Sequence, residues 1–364
     1  MIFLLLLFIP YIINKKVFEE TTIKNLHFKN RIFRGAVFDN TQVNGKMTEE
    51  GLKFYEDLAK TEVGSIITGT LCVEPRKGEV FGMNGFFRIY SDEFIPEFQK
   101  LTSVVHKYNT NIFAQISVLG FTDDFKLQGP SALFNQFYNM TSVEVTKSEI
   151  LNIEDMMANA ALRAKKAGFD GIEFPVAHWG FYSLFLGAHY NRRNDEYGGN
   201  DYNRARIVVE TIEKIREKVG NDFFIILKIN GKDIYENGIT EEGFITTCQL
   251  AEKAGVDLIE VSGAQYKIER PKKGKPLFLD RTLLISEHVN IPVMLIGGIR
   301  DLKTMEEVLN TSKIEYFGVT RPLMCEPDIV RYWKTKGERK SKCVSCNKCF
   351  DNNHQCIFDH KPLC

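Results

Sequence analysis

The chain has 364 residues, with 47 Lys plus Arg against 47 Asp plus Glu, a balance that argues against a nucleic acid or an anionic membrane surface as the main partner. With 44% hydrophobic and 26% charged residues, the composition is that of a globular protein with a large core and excludes disorder on any scale. The eight cysteines are unevenly placed: Cys72, Cys248 and Cys325 are scattered, whereas Cys343, Cys346, Cys349, Cys356 and Cys364 crowd the end, so the body is not a disulfide scaffold.

Residues 1–13 are almost wholly apolar and lead into Asn14-Lys15-Lys16. A bilayer-spanning helix needs about 20 apolar residues, and Pro10 interrupts this run. A secretory signal would show a basic start and a small-residue cleavage site, and neither is present. Residues 1–14 are read as an apolar extension, at most a weak membrane anchor, and the rest as cytoplasmic.

Short apolar, β-branched runs then alternate with helical patterns, the rhythm of βα units around a parallel sheet. Eight runs read as strands: Arg31–Ala36, Gly64–Gly69, Asn111–Ser117, Asp170–Pro175, Phe223–Asn230, Asp257–Ser262, Pro292–Gly297 and Glu315–Thr320. Helices are predicted between them, among others at Thr48–Thr61, Ser148–Ala167, Tyr202–Val219, Glu241–Ala254 and Thr304–Leu309. Gly168, Gly220 and Gly255 stand where left-handed helix caps are expected. The fold class is α/β: a single (β/α)8 TIM barrel over residues 15–338, with a short Cys-rich tail over 339–364. No Gly-x-Gly-x-x-Gly follows the first strand, which disfavours a Rossmann domain.

In such a barrel the chemistry sits where strands end on the carboxyl side. Gly297-Gly298, then Thr320-Arg321 one βα unit later, place flexible backbone and a guanidinium at the ends of strands seven and eight, where barrels commonly bind phosphate. Two glycines making a tight turn, with Arg321 paired to a surface carboxylate, is the plainer reading. Lys228 lies inside the apolar run Phe223–Asn230, so something anionic should face it. It completes an ion pair, forms a Schiff base, or stabilises charge on a cofactor, and alone it does not choose. His178, three residues past the end of strand four, is the candidate catalytic residue. The stretch from Asn191 to Gly199 reads as a structural loop.

Together these motifs resemble the Old Yellow Enzyme family of FMN-dependent NAD(P)H oxidoreductases, specifically its NADH:flavin oxidoreductase-like branch. The resemblance runs from about Val17 to the C-terminus and is carried by Lys29-Asn30-Arg31-Ile32, Gly64-Ser65-Ile66-Ile67-Thr68-Gly69 and Gly129-Pro130-Ser131-Ala132. Ala167-Gly168-Phe169-Asp170-Gly171, Asn191-Arg192-Arg193, Asp195-Glu196-Tyr197-Gly198-Gly199 and Gly297-Gly298-Ile299 complete it. It implies that Gly35, Ala36 and Val37 lie against the isoalloxazine of FMN, with Thr70 near its edge and Gln115 on the pyrimidine side. Lys228 takes the place of the cation beside flavin N1 and O2, and Gly297, Gly298, Thr320 and Arg321 hold the phosphate. NAD(P)H is the implied reductant and a small-molecule electron acceptor the implied partner.

The chain also departs from the family. Pro175 and Gly180 stand where a His and a Tyr are usual, and Val118-Leu119-Gly120-Phe121 replaces His-x-Gly-Arg. Proline lacks an N–H and glycine a phenol, so only His178 remains to polarise a substrate carbonyl, with Tyr182 nearby in sequence as a speculative proton source. The tail spacing Cys343-x2-Cys346-x2-Cys349-x6-Cys356 suits an iron–sulfur cluster or zinc; a reduced tail without metal is the alternative. Relatives with longer chains carry a cluster on a similar tail with wider spacing. Two rivals stay open: a flavin-binding electron carrier with decayed alkene chemistry, and a flavin-free Schiff-base enzyme using Lys228.

Overall fold

The computed structural model describes residues 14–38, 41–75, 86–122, 124–136, 138–263, 275–351 and 355–357. The apolar segment 1–13 and Cys364 lie outside them. Eight parallel strands form the barrel: β1 Ile32–Arg34, β2 Ser65–Cys72, β3 Asn111–Ser117, β4 Gly171–Val176, β5 Phe224–Asn230, β6 Leu258–Ser262, β7 Val293–Ile296 and β8 Ile314–Gly318. Each pairs with the next, and β8 and β2 both pair with β1, which closes the ring. All eight correspond to the predicted runs.

Two boundaries moved for physical reasons. The second strand continues past Gly69 to Cys72 through a register shift between Ile67 and Thr70, and the Gly69 N–H donates to the Tyr55 hydroxyl at 3.0 Å. The glycine marks a bulge rather than an end. The eighth strand stops at Gly318, because Pro322 in the first turn of a short helix commits the chain to turn at Thr320.

Helices α1 Glu49–Ala59, α2 Ile95–His106, α3 Lys147–Lys166, α4 Phe181–Leu186, α5 Asp201–Val219, α6 Glu241–Ala254, α7 Leu279–Ser286, α8 Leu302–Thr311, α9 Arg321–Cys325 and α10 Ile329–Lys336 surround the strands. Five of these, α1, α3, α5, α6 and α8, begin on a side-chain cap, the fullest being the Thr146/Glu149 capping box of α3. Gly168 and Gly255 adopt the positive φ expected of caps. Gly220 does not make a left-handed cap: at φ 74 and ψ −177 it lies in an extended region open to glycine alone.

Strand alternation sorts the core. Ile225, Leu227 and Ile229 face the helices, whereas Phe224 and Ile226 point inward with Phe33, Ile67, Phe113, Leu258, Met294 and Tyr316. Phe28, from a hairpin of Thr21–Ile23 and Leu26–Phe28, plugs the amino end of the barrel, its ring 5.4 Å from Tyr316 and 5.8 Å from both Phe33 and Phe224. The opposite, carboxyl end is left for chemistry.

Candidate active site

Above the aromatic layer, the next inward positions are polar. Gln115, Glu173, Lys228 and Glu260 come from four successive strands and are all buried. Thr70 Oγ1 donates to Gln115 Oε1 at 2.6 Å, and Gln115 Nε2 donates to Glu173 Oε1 at 2.5 Å. This fixes the amide and leaves its second N–H for the cavity above. The Lys228 ammonium lies 2.7 Å from Glu260 and 3.7 Å from Glu173. The anionic partner that the sequence demanded is therefore Glu260, with the carboxyl of Glu173 beside it, and sequence reasoning singled out neither.

Burial, followed by the charge of Glu260, pushes the Glu173 carboxyl up to about 8. Burial alone would lower Lys228, but Glu173 and Glu260 outweigh it and the ammonium is held above its ordinary value. A Schiff-base lysine needs the opposite, a depressed pKa that exposes the free amine. The geometry argues against that rival.

His178 lies on the wall of the same cavity. It and Trp179 both adopt left-handed backbone, at φ 59 and 57, a strained turn of the kind found at functional sites. The turn is held by the His178 N–H donating to Asn230 Oδ1 at 3.1 Å and by Trp179 stacking on Tyr235 at 6.1 Å. His178 Nε2 is 3.3 Å from Ser262 Oγ. Burial and then the Lys228 charge push the imidazole down to about 3, so it is neutral at physiological pH. Tyr182 is no proton source. Its hydroxyl accepts from Thr211 Oγ1 at 3.2 Å, its ring packs edge-on against Phe174 at 4.6 Å, and its phenol is pushed upward by burial.

The cavity has a volume of about 270 Å³. Ala36, Val37, Thr70, Gln115, His178 and Lys228 line it together with Gly297, Gly298, Thr320 and Arg321. Gly35 lies just behind the wall, where an added Cβ would meet Ile296 Cδ1 at 2.5 Å and Thr320 Oγ1 at 2.6 Å. Phe38, Ser262, Phe278, Arg300, Met324 and Ser345 also line the cavity and were not among the predicted residues. The Asn191–Gly199 segment is structural as expected: Arg193 pairs with Asp195 and donates to the carbonyls of Pro130 and Val145.

Beside Arg321, Cys343, Cys346, Cys349 and Cys356 line a smaller cavity of about 20 Å³, and Cys325 joins them. Spacing could not reveal that the scattered Cys325 hydrogen-bonds Cys356. Among the described residues, no group of three or more His, Cys, Asp or Glu is arranged to hold a single metal ion. No described helix is long and apolar enough to cross a membrane.

Residues 16–340 match the NADH:flavin oxidoreductase / NADH oxidase family. The chain is 30% identical over 360 residues to a metal reductase of Desulforamulus reducens, covering 95% of this chain and 52% of that protein. It is 29% identical over 324 residues to an NADPH dehydrogenase of Bacillus velezensis, covering 87% of this chain and 94% of that one. The chain spans about half the length of several curated relatives it matches. The old yellow enzyme homologue of Zymomonas mobilis shares the fold, with a TM-score of 0.75 at 19% identity over 91% of this chain and 95% of that one.

The cavity suits FMN on its own chemistry. Thr320 Oγ1 is buried on the cavity wall without a hydrogen-bond partner among the described residues, a donor waiting for an acceptor. Gly297 and Gly298 hold φ 91 and 84, conformations that let backbone approach a ligand closely. The family match and this fit agree: the chain belongs to the NADH:flavin oxidoreductase / NADH oxidase family, the FMN-dependent group its motifs resemble.

Proposed function

We propose that the chain is an FMN-dependent NAD(P)H oxidoreductase of the Old Yellow Enzyme type acting on small electron acceptors. The observation that carries this reading is one cavity lined by a fixed amide, a lysine held cationic, glycine backbone and a Thr320 hydroxyl unpartnered among the described residues. Bound there, FMN supplies hydride chemistry between NAD(P)H and an acceptor. Gly297, Gly298, Thr320 and Arg321 hold the phosphate, while Ala36 and Val37, backed by Gly35, contact the ring. Thr70 and Glu173 orient Gln115 toward the pyrimidine. Glu260 and Glu173 keep Lys228 cationic, so that it stabilises negative charge arriving beside it. His178 donates its ring N–H to the acceptor and excludes water from that side.

Alkene reduction is slow in this reading. Pro175 and Gly180 offer no side-chain donor, and Tyr182 is turned toward α5, so neither these positions nor Tyr182 delivers a proton to an alkene carbon. A relative named a metal reductase supports including acceptors other than alkenes in the assays. Residues 15–338 form the catalytic unit. In the tail, 339–364, Cys343, Cys346, Cys349 and Cys356 are the candidate ligands of an iron–sulfur cluster or zinc, although their arrangement among the described residues does not form a metal site.

The test is the absorption spectrum of the purified protein, with acid extraction of its cofactor and elemental analysis. The reading expects flavin bands and FMN in the extract. A colourless protein whose Lys228 is trapped by borohydride with a carbonyl compound would instead establish the Schiff-base rival.

A further inference from the structure

The cavity and the thiol nest share a wall: Arg321, Met324 and Ser345 line both. Across it the tail takes hold of two arginines. Arg321 Nη1 donates to Asn347 Oδ1, and Arg300, which also lines the main cavity, donates from Nη1 to the Cys343 carbonyl at 2.7 Å. The Arg300 carbonyl in turn accepts from the Ser341 N–H at 2.7 Å. Glu326 ties the same stretch down by accepting from Ser341 Oγ at 3.0 Å and pairing with Arg339 at 2.7 Å. Ser345 and Asn347 are buried and hold left-handed backbone at φ 54 and 63, so the loop is wound tightly around these contacts.

The partners are informative. Among the described residues neither Arg300 nor Arg321 forms an ion pair with a carboxylate; each is held by a neutral oxygen. A carboxylate would orient a guanidinium but cancel its charge, whereas an amide or carbonyl oxygen orients it and leaves the charge available to an anion. Two cations held this way line the same cavity as Thr320, whose Oγ1 is unpartnered among the described residues.

We propose that the cysteine tail is a working part of the phosphate site, with Asn347 and the Cys343 carbonyl steering Arg321 and Arg300 onto the phosphate of FMN. Asn347 is a positioning residue, Arg300 a second phosphate ligand, and the fold of the tail sets the affinity for the phosphorylated cofactor. This rests on the reading that Arg321 faces the FMN phosphate.

The experiment titrates full-length apoprotein with FMN and with riboflavin, which lacks the phosphate, following flavin fluorescence. Asn347→Gly removes the amide and relieves the positive φ. It should weaken FMN binding about five- to tenfold and leave riboflavin unchanged. Asn347→Asp keeps the contact to Arg321 but adds a negative charge, so it should lower the FMN-to-riboflavin preference at least as far, whereas a purely structural role would tolerate this near-isostere. Arg300→Gln should lower the same preference. An unchanged preference in both Asn347 variants, or equal loss of both flavins, while Arg321→Ala abolishes the preference, would overturn the inference and leave the reading standing. An unchanged preference in Arg321→Ala would remove the reading itself.

Discussion

Replacing Lys228 with Met tests the charge arrangement beneath the cavity. At 2.7 Å from Glu260, the ammonium interacts with that carboxylate by roughly 6 kcal/mol at an effective dielectric of about 20, while Glu173, 3.7 Å away and raised to about 8, is mostly protonated at neutral pH. Desolvation of all three groups offsets most of this. Removing the cation leaves the Glu260 carboxylate without its charge partner, and breaking a buried pair in this way costs about 3–5 kcal/mol. Removing Glu260's charge as well, in Lys228→Met/Glu260→Gln, should recover at least half of that loss. Glu173 adds a pH signature. Its carboxyl is raised from 4.5 to about 8, so its contribution is fully present below about 4.5 and is lost as pH rises through about 8. Glu173→Gln should flatten the profile over that window. The assay is urea unfolding followed by tryptophan fluorescence across pH. A Lys228→Met protein within about 1 kcal/mol of the unmodified one, or a double variant no more stable than the single, would refute the reasoning.

Because His178 is held near 3, enone reduction should show no inflection around the ordinary histidine value in stopped-flow pH profiles, and His178→Ala should slow it by about 10² or more without slowing reduction by NAD(P)H. Gly180→Tyr places a phenol where the family has one; its Cβ would meet the Ala177 carbonyl at 3.1 Å, so with a shift of a few tenths of an ångström it should accelerate the second half-reaction alone. Anaerobically purified protein should contain stoichiometric iron or zinc that Cys346→Ser abolishes, and metal-free protein would return the tail to a plain thiol cluster.

The barrel was legible because parallel strands covered on both faces read as continuous apolar runs between helical periods. That same continuity hid the floor of the site. In Gly171–Val176 and Leu258–Ser262 the apolar flanks conceal which face points inward, so Glu173 and Glu260 pass as isolated polar residues until pairing with Lys228 reveals them. Gln115, Gly297 and Thr320 were legible as cavity-lining residues because barrel geometry concentrates function towards the carboxyl ends of strands, whereas Thr70 came from the family resemblance alone. Tyr182 misled for a local reason: proximity to His178 in sequence says nothing about which way the first turn of α4 faces, and packing against Phe174 and Thr211 decides it. The tail's approach to Arg300 and Arg321 depends on a return of the chain from beyond α10, which no periodic pattern encodes.

The most direct test of the central claim is anaerobic titration of the FMN-loaded protein with NADH and with NADPH while recording the flavin spectrum. The account predicts that at least one nicotinamide bleaches the flavin fully and stoichiometrically, and that admitting an electron acceptor restores the colour. A bound flavin that neither nicotinamide reduces would contradict it.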